Sequence, residues 1–299
     1  MNMVVNVYKD CGVTSHDVVT TVKRSFQVRK AGHAGTLDPI ATGVLLVFLN
    51  EATKIARFFS DMDKEYILTA KLGERTDTYD TEGRIIQRLT DFTIDRKEIC
   101  DVMKHFVGEI EQIPPMHSAV KVSGKPLYVF ARKGIELERK PRKVTIRSIE
   151  LLDFALPFVT LRVSCSKGTY MRSLCNDIGN ALGVGAHITK LVRTRIGSFT
   201  IENASTTDEL VHKSKALYSI DSALGHFPEV VLNADDFVRA RNGNPLSYPS
   251  LSLTNGIEEE PENMSEKRKF VKLKGPDGKL LGIGRISEEL IKIERLLKI

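Results

Sequence analysis

Short apolar segments separated by polar turns run along most of the chain and predict strands. KVTIRSIELLDF (143–154) and FVTLRVSC (158–165) are joined by a few residues, so we expect them to pair as antiparallel strands. Four further segments have the length and composition of buried or half-buried strands: VVNVY (4–8), GVLLVFL (43–49), KEYILTAKLG (64–73) and HITKLVRTRIGSF (187–199).

Helical periodicity fills the spaces between these strands. Ser15 is the predicted N-cap of the first helix, and Gly134 fits the C-terminal end of the fourth. Strand-like and helix-like segments mix without a strict repeat, which predicts a mixed α+β domain. The predicted helical segments are residues 15–26, 51–61, 95–108, 127–134 and 169–183.

The composition changes near residue 228. Residues 244–266 are rich in proline, serine and acidic residues, as is typical of a mobile loop. The segments RKFVKLK (268–274) and KLLGIGRI (279–286) flank GPDG, which predicts a two-stranded hairpin. We therefore expect two domains, residues 1–228 and a small β-rich domain at 229–299.

Composition and charge exclude several classes of protein. A chain of 299 residues with 41% hydrophobic residues is long enough to form its own core. The four cysteines form no C-x-x-C pair, which argues against a zinc site and a disulfide framework. The N-terminal segment is too short and polar for a secretory signal, and no apolar run could span a membrane. We expect a cytoplasmic protein, and its net charge of +6 favours a polyanionic partner.

The segment GHAGTLDP (32–39) places a carboxylate in a glycine-rich turn directly before an apolar strand. The glycine spacing and the missing lysine argue against a phosphate-binding P-loop. By themselves Asp38 and His33 indicate only a tight turn, since Asp-Pro pairs and histidines beside glycines are common there.

The segment CSKGTYMRSL (165–174) allows two interpretations. By itself it indicates the start of a helix, with Tyr170 in the core and Arg172 in solvent. The histidine and cysteine pattern of zinc-dependent base deaminases is absent from the chain. If the protein acts on a nucleic-acid base, we expect it to do so without a metal.

Together these segments resemble the TruB family of tRNA pseudouridine synthases over residues 3 to about 200. The resemblance implies the pseudouridine synthase fold, a mixed and mainly antiparallel sheet with flanking helices, followed by a PUA-like C-terminal domain. The matching segments, in the family's order and spacing, are KAGHAGTLDPIATGVL, KEYILTAKLGERTDTYDTEG, QIPPMHSAVKVSGKPLYVFARKG and CSKGTYMRSLCNDIGNALGVGAHITKLVR.

The resemblance also implies a reaction and its catalytic residues. Pseudouridine formation breaks the bond between N1 and C1′ of uridine, turns the uracil and joins C5 to C1′. The product is an isomer of the substrate, so no cofactor is expected. Asp38 matches the family's catalytic aspartate and Arg172 the arginine that pairs with it. Tyr66 matches the tyrosine that stacks on the uracil and is the favoured group to take the C5 proton.

Four more residues match substrate-binding positions of the family: Lys9, His33, Tyr170 and Leu191. His33 corresponds to a residue that helps to hold the flipped nucleotide, Tyr170 to a second aromatic residue of the pocket and Leu191 to an apolar contact with the base. Two positions depart from the pattern and put the shape of their loops in doubt. Asp10 stands where the family usually has proline, and His117 where it usually has an aromatic residue.

The expected partner is tRNA, without a membrane and with the protein as a monomer. The resemblance implies action on uridine 55 in the T-stem-loop and a contact of the C-terminal domain with the acceptor stem. Residues 138–143 and 267–274 are basic and are candidates for contacts with the RNA backbone, or are merely solvated. Two rival hypotheses concern the function. The chain could be an RNA-binding protein without catalysis, which would not need Asp38, Tyr66 and Arg172, or a synthase for a different RNA.

Overall fold

The structure is a computed structural model that describes residues 1–122, 124–210, 214–247, 253–254, 270–287 and 289–298. Its helices are α1 Ser15–Ser25, α2 Ala56–Ser60, α3 Arg96–Lys104, α4 Leu127–Ala131, α5 Met171–Ala181, α6 Ile220–Ala223 and α7 Ala234–Arg241, with short 3-10 helices at Asn50–Ile55, Ile201–Asn203 and Ser214–Ala216. Its strands are β1 Met3–Lys9, β2 Ala31–Ala34, β3 Ala41–Leu49, β4 Lys64–Leu72, β5 Glu74–Thr76, β6 Ile85–Arg88, β7 Gly108–Gln112, β8 Lys121–Val122, β9 Lys125–Pro126, β10 Arg142–Ala155, β11 Phe158–Cys165, β12 Ala186–Ile196, β13 Phe199–Thr200, β14 Leu217–Ser219, β15 Glu229–Val231, β16 Leu246–Ser247, β17 Leu253–Thr254, β18 Phe270–Lys274, β19 Leu280–Ser287 and β20 Leu290–Leu296.

A large mixed sheet forms the first part of the chain. In the described residues its strand order is β14-β1-β3-β12-β4-β11-β10-β7, with β2 beside β3 and β13 beside β12. Every pair is antiparallel except β12 with β3. The expected antiparallel pairing of β10 with β11 is confirmed, with Leu151 opposite Leu161. The mainly antiparallel sheet agrees with the sequence-based expectation.

Alternation along the central strands sends their side chains into cores on opposite faces of the sheet. In β3, Leu45, Val47 and Leu49 pack with α1, whose buried residues include Val18 and Val22. Leu46 and Phe48 of the same strand point to the other face and pack with α2. A separate core lies under the other half of the sheet, where α3 and α5 cover β4, β10, β11 and β12. The turn that carries Asp38 joins β2 and β3, which are paired in this sheet.

A second sheet follows, in the order β16-β20-β19-β18-β15-β17 within the described residues. The expected hairpin is confirmed as the antiparallel pair β18 and β19. This sheet shares a core with the first part of the chain. The ring of Phe270 lies 5.0 Å from that of Phe58 and 6.1 Å from that of Phe227, measured between centroids. The two sheets are thus packed against each other rather than joined only by a linker.

Ion pairs reinforce the junction between the two sheets. Lys272 and Lys274 of β18 each contact both Asp221 of α6 and Glu229 of β15, at 2.9–3.1 Å. Two lysines of the basic segment 267–274 are thus paired within the protein, and contact of this segment with RNA stays a prediction. Residues 267–269 and most of the loop at 244–266 lie outside the described residues.

The predicted N-cap of α1 is wrong by one residue. Thr14 is the N-cap, since its hydroxyl accepts from the backbone N–H of Asp17 and the Asp17 carboxylate accepts from the backbone N–H of Thr14. Ser15 is the first helical residue and its hydroxyl faces inwards. The shift frees the Ser15 side chain for a different contact.

Candidate active site

Asp38 lies in the turn at residues 35–40, between the end of β2 and the start of β3. Gly35 begins this turn with φ +82°, a left-handed conformation that favours glycine. Leu37, just before Asp38, is buried in the core together with Tyr66 and Leu191. The Asp38 side chain is 35% exposed, so the turn presents its carboxylate at an opening of the core.

Arg172 forms the main contact of the Asp38 carboxylate. Its Nε lies 2.9 Å from Oδ2 of Asp38, and its Nη2 donates to Oδ1 at 3.0 Å. The planar guanidinium thus meets both carboxylate oxygens from one side. Only 4% of the Arg172 side chain is exposed, so the interpretation that places this residue in solvent is wrong.

Asp80 is a second carboxylate on the same guanidinium, and sequence reasoning missed it. Its Oδ2 lies 3.4 Å from Nη1 of Arg172, and its side chain is 3% exposed. The turn that contains it is fixed by Thr78, whose hydroxyl donates to Oδ1 of Asp80 at 2.5 Å, and by Tyr79 in a left-handed conformation. The acidic, threonine-rich segment TDTYDTEG was the available signal, but it is equally typical of a polar surface turn.

Backbone oxygens complete the surroundings of Arg172. Nη1 donates to the carbonyl of Thr78 at 3.3 Å, and Nη2 to the carbonyl of His117 at 2.6 Å. The segment before α4 therefore lies directly against the arginine. A guanidinium held by two carboxylates and two carbonyls has little freedom to move, so it fixes the orientation of the Asp38 carboxylate.

Burial in this site raises the pKa of Asp38 above its ordinary value. The adjacent Arg172 charge opposes the rise, while the second carboxylate, Asp80, adds to it. The ionised carboxylate is partly desolvated, and the Arg172 guanidinium is the main charge that stabilises it. Such a group is suited to act as a nucleophile or to stabilise developing positive charge.

Tyr66 lies on β4, close enough to Asp38 for the charge of that residue to act on its phenol. It is 9% exposed, and its backbone lies opposite Val163 on one side and Arg193 on the other. Burial raises the pKa of the Tyr66 phenol, and the Arg193 guanidinium opposes that rise. Tyr66 and Leu191 belong to the cluster that also contains Leu37. The structure therefore brings an aromatic ring and an apolar side chain next to the turn of Asp38.

His33 and Lys9 flank the turn in different ways. His33 is half-buried on β2, and burial lowers the pKa of its imidazole, assisted by the charges of Arg193 and His16. Lys9 is fully buried, and its ammonium donates to the carbonyls of Asp10, Val13 and Pro39 at 2.8, 2.8 and 3.2 Å. This geometry gives Lys9 a supporting position behind the turn, so substrate binding by Lys9 stays a prediction.

The N-terminus of α5 is fixed by a glutamine that sequence reasoning did not single out. Tyr170 is the N-cap residue and provides no side-chain cap. Instead Gln112, at the end of β7, accepts from the backbone N–H of Tyr170 at 2.7 Å and donates to its carbonyl at 3.0 Å. This pairing holds the first turn of the helix, and with it Arg172. The Tyr170 ring is half-buried, and its burial raises the pKa of the phenol.

The described residues contain neither a cluster of side chains suited to a metal ion nor a membrane-spanning helix. There, no group of three or more His, Cys, Asp or Glu side chains is arranged to hold a metal ion. No helix in that part of the chain is long and apolar enough to cross a membrane.

Curated proteins with similar sequences cover almost the whole chain. It is 41% identical to tRNA pseudouridine synthase B of Clostridium tetani, over 99% of this chain and 100% of that protein. It is 43% identical to the protein of the same name from Burkholderia pseudomallei, over 97% of this chain and 94% of that one.

Chains of two solved structures superimpose on almost the whole chain. An H/ACA RNP bound to a substrate RNA containing 2′-deoxyuridine superimposes with a TM-score of 0.74 at 27% identity, over 99% of this chain and 85% of that one. A Cbf5-Nop10-Gar1 complex gives a TM-score of 0.74 at 29% identity, over 98% and 84%.

Two family models match consecutive parts of the chain. The TruB family pseudouridylate synthase N-terminal domain matches residues 23–171, and the tRNA pseudouridylate synthase B C-terminal domain matches residues 172–233. The chain therefore belongs to the TruB family of pseudouridylate synthases, enzymes that isomerise uridine to pseudouridine.

Proposed function

We propose that this enzyme converts uridine 55 in the T-loop of tRNA to pseudouridine, with Asp38 as its catalytic carboxylate. The names of the relatives at 41% and 43% identity support tRNA as the substrate. The observation that carries the proposal is the pairing of the one-third-exposed Asp38 with the buried Arg172 beside Tyr66.

The reaction balances without an external reactant. The bond from N1 to C1′ breaks, the uracil turns, and a bond forms from C5 to C1′. The proton of C5 is lost and N1 gains one, so substrate and product have the same composition. Asp38 supplies the carboxylate that the reaction needs, by attack on C1′, by attack on C6 or by promoting a glycal route. Arg172 keeps the Asp38 carboxylate ionised and oriented.

The surrounding side chains form the base pocket in this proposal. Tyr66 stacks on the uracil and takes the C5 proton, a step that the nearby Arg193 charge favours and burial opposes. Leu191 and Tyr170 form walls of the pocket. The pKa of the His33 imidazole is lowered, so this side chain contacts the flipped nucleotide as a neutral ring.

The base must leave the RNA stack to reach Asp38, at a cost of a few kcal/mol that contacts elsewhere must offset. The basic segment at 138–143 is one source of such contacts. Within it Lys143 pairs with Glu109 and Arg139 with Glu136, whereas Lys140 and Arg142 form no ion pair with the described residues. The charge of Arg142 also lowers the pKa of the Tyr170 phenol, opposing the effect of burial, so Arg142 lies close to the pocket.

The two sheets support a division of labour. We assign catalysis to residues 1–228 and acceptor-stem binding to the PUA-like residues 229–299. All proposed catalytic residues belong to the first part, and the second forms its own sheet. The two sheets share a core around Phe58 and Phe270. A protein truncated after residue 228 is therefore expected to need polar substitutions in that core to remain free of aggregation.

The test uses the purified chain alone with an unmodified tRNA transcript. After incubation, carbodiimide labelling and primer extension should give a stop at position 55, and a transcript with cytidine at that position should give none. The Asp38→Asn variant should also give none. A stop outside the T-loop, or no stop without added guide RNA and proteins, would overturn the proposed substrate.

A further inference from the structure

The turn that carries Asp38 has no regular secondary structure, yet donors fix most of its carbonyl oxygens. These come from the β12 side chain of Arg193, from Lys9 at the end of β1 and from the backbone. The bonds are Arg193 Nη2 to Gly35 (3.1 Å), Arg193 Nη1 to Thr36 (3.4 Å), Ala41 N to Asp38 (3.0 Å), and both Gly12 N (2.9 Å) and Lys9 Nζ (3.2 Å) to Pro39.

Leu37, the residue directly before Asp38, is fixed by a single side chain. The hydroxyl of Ser15 donates to the Leu37 carbonyl at 3.0 Å and accepts from the Leu37 N–H at 2.9 Å. Ser15 is 2% exposed and Leu37 4% exposed, so water does not readily replace these bonds. Among the described residues, this hydroxyl is the hydrogen-bond partner of both backbone groups of Leu37.

The helix that contains Ser15 does not need its hydroxyl. Thr14 and Asp17 already form the reciprocal cap of α1, with bonds of 2.9 and 3.1 Å. A buried hydroxyl at the first helical position, directed away from its own helix, therefore serves the neighbouring turn. It fixes the two peptide groups on either side of Leu37, and hence the direction in which the Asp38 side chain leaves the backbone.

We propose that Ser15 is a positioning residue for pseudouridine formation, acting through Leu37 on the Asp38 carboxylate. This inference rests on the proposed catalytic role of Asp38. Arg172 cannot follow a displaced carboxylate, because Asp80 and the carbonyls of Thr78 and His117 hold its guanidinium. A small rotation at Leu37 therefore separates Asp38 from Arg172, and a misplacement of about 1 Å can slow a reaction about 100-fold.

The experiment compares Ser15→Ala with Thr14→Ala, which removes a hydroxyl from the same helix without touching Leu37. We measure the single-turnover rate on tRNA, the affinity for RNA and the melting temperature. Ser15→Ala should slow turnover about 10- to 100-fold with affinity within about twofold of the parent. It should also move the acid limb of the rate to higher pH, since Asp38 loses part of its Arg172 contact. Thr14→Ala should lower the melting temperature alone.

A second variant guards against loss of folding. Ser15→Cys keeps nearly the same volume but bonds weakly, so its rate should fall between those of the parent and Ser15→Ala. A parental rate in Ser15→Ala, or equal slowing by Thr14→Ala, would overturn the inference. An active Asp38→Asn variant would instead overturn the proposed function, whatever the Ser15 variants do.

Discussion

Replacing Arg172 tests the central ion pair of the site most directly. Arg172→Met removes a guanidinium that is 4% exposed and leaves the 3% exposed carboxylate of Asp80 without its charge partner. Removing one member of a buried pair costs about 3–5 kcal/mol of folding free energy. At about 2 °C per kcal/mol, the lower end of the range for chains of about 150–250 residues, the melting temperature should fall by about 6–10 °C.

Replacing Arg172 should slow turnover by more than the loss of folding free energy suggests. Arg172→Lys retains a charge, but one ammonium cannot reproduce contacts with Asp38, Asp80 and two carbonyls, so we expect about 100-fold slower turnover from misplacement. Arg172→Met also removes a preorganised donor, which by itself is worth about 100- to 1,000-fold, and should be slower still. Affinity for RNA should stay within about threefold, because the buried side chain cannot reach a phosphate.

The assay follows tritium released from RNA labelled at C5 of uridine, with enzyme in excess over RNA. Melting curves and binding measurements are made on the same preparations. Arg147→Lys is the matched control, since Arg147 is 53% exposed and forms a surface pair with Asp63 that should contribute about 0–1 kcal/mol. Turnover of Arg172→Met within tenfold of the parent, or equal slowing by Arg147→Lys, would refute the reasoning.

Three further predictions concern the same pocket. Asp38→Asn should abolish turnover while RNA affinity stays within a few-fold, and measurable turnover in single-turnover assays would remove Asp38 from the mechanism. Tyr66→Phe should retain stacking, worth about 1–3 kcal/mol, but slow turnover steeply; equal loss of binding would indicate a structural role. The single-turnover rate should fall as pH decreases through an Asp38 pKa that burial raises above that of a free carboxyl. A rate that is flat down to the ordinary aspartate pKa contradicts this assignment.

The sequence was most informative where a pattern repeats within one element. Alternation predicted the central strands, and segment order indicated the family with its Asp38, Tyr66 and Arg172 set. It was less informative where a residue depends on a distant partner. Asp80 lies 92 positions before Arg172 and belongs to a segment that reads as a surface turn.

Buried polar residues show the same limit. Composition gives no reason to bury Lys9, because its three acceptors are backbone carbonyls that only the folded turn brings together. Ser15 suits an N-cap as well as Thr14 does by residue type, and the choice between them depends on the backbone of Leu37, 22 positions away in the sequence. The paired state of Lys272 likewise depends on Asp221, far away in the sequence.

The aromatic junction between the two sheets constrains how the two parts of the chain can change over evolution. The ring of Phe270 covers Phe58 and Phe227. A phenylalanine is therefore suitable at these two positions only while Phe270 is present. A relative that lost the C-terminal sheet would expose these two rings as an apolar, aggregation-prone surface. It would need polar residues at the positions of Phe58 and Phe227. Substitutions at Phe58, Phe227 and Phe270 should therefore covary among relatives. A chimaera that exchanges only one of the two sheets should aggregate unless these junction residues are exchanged with it.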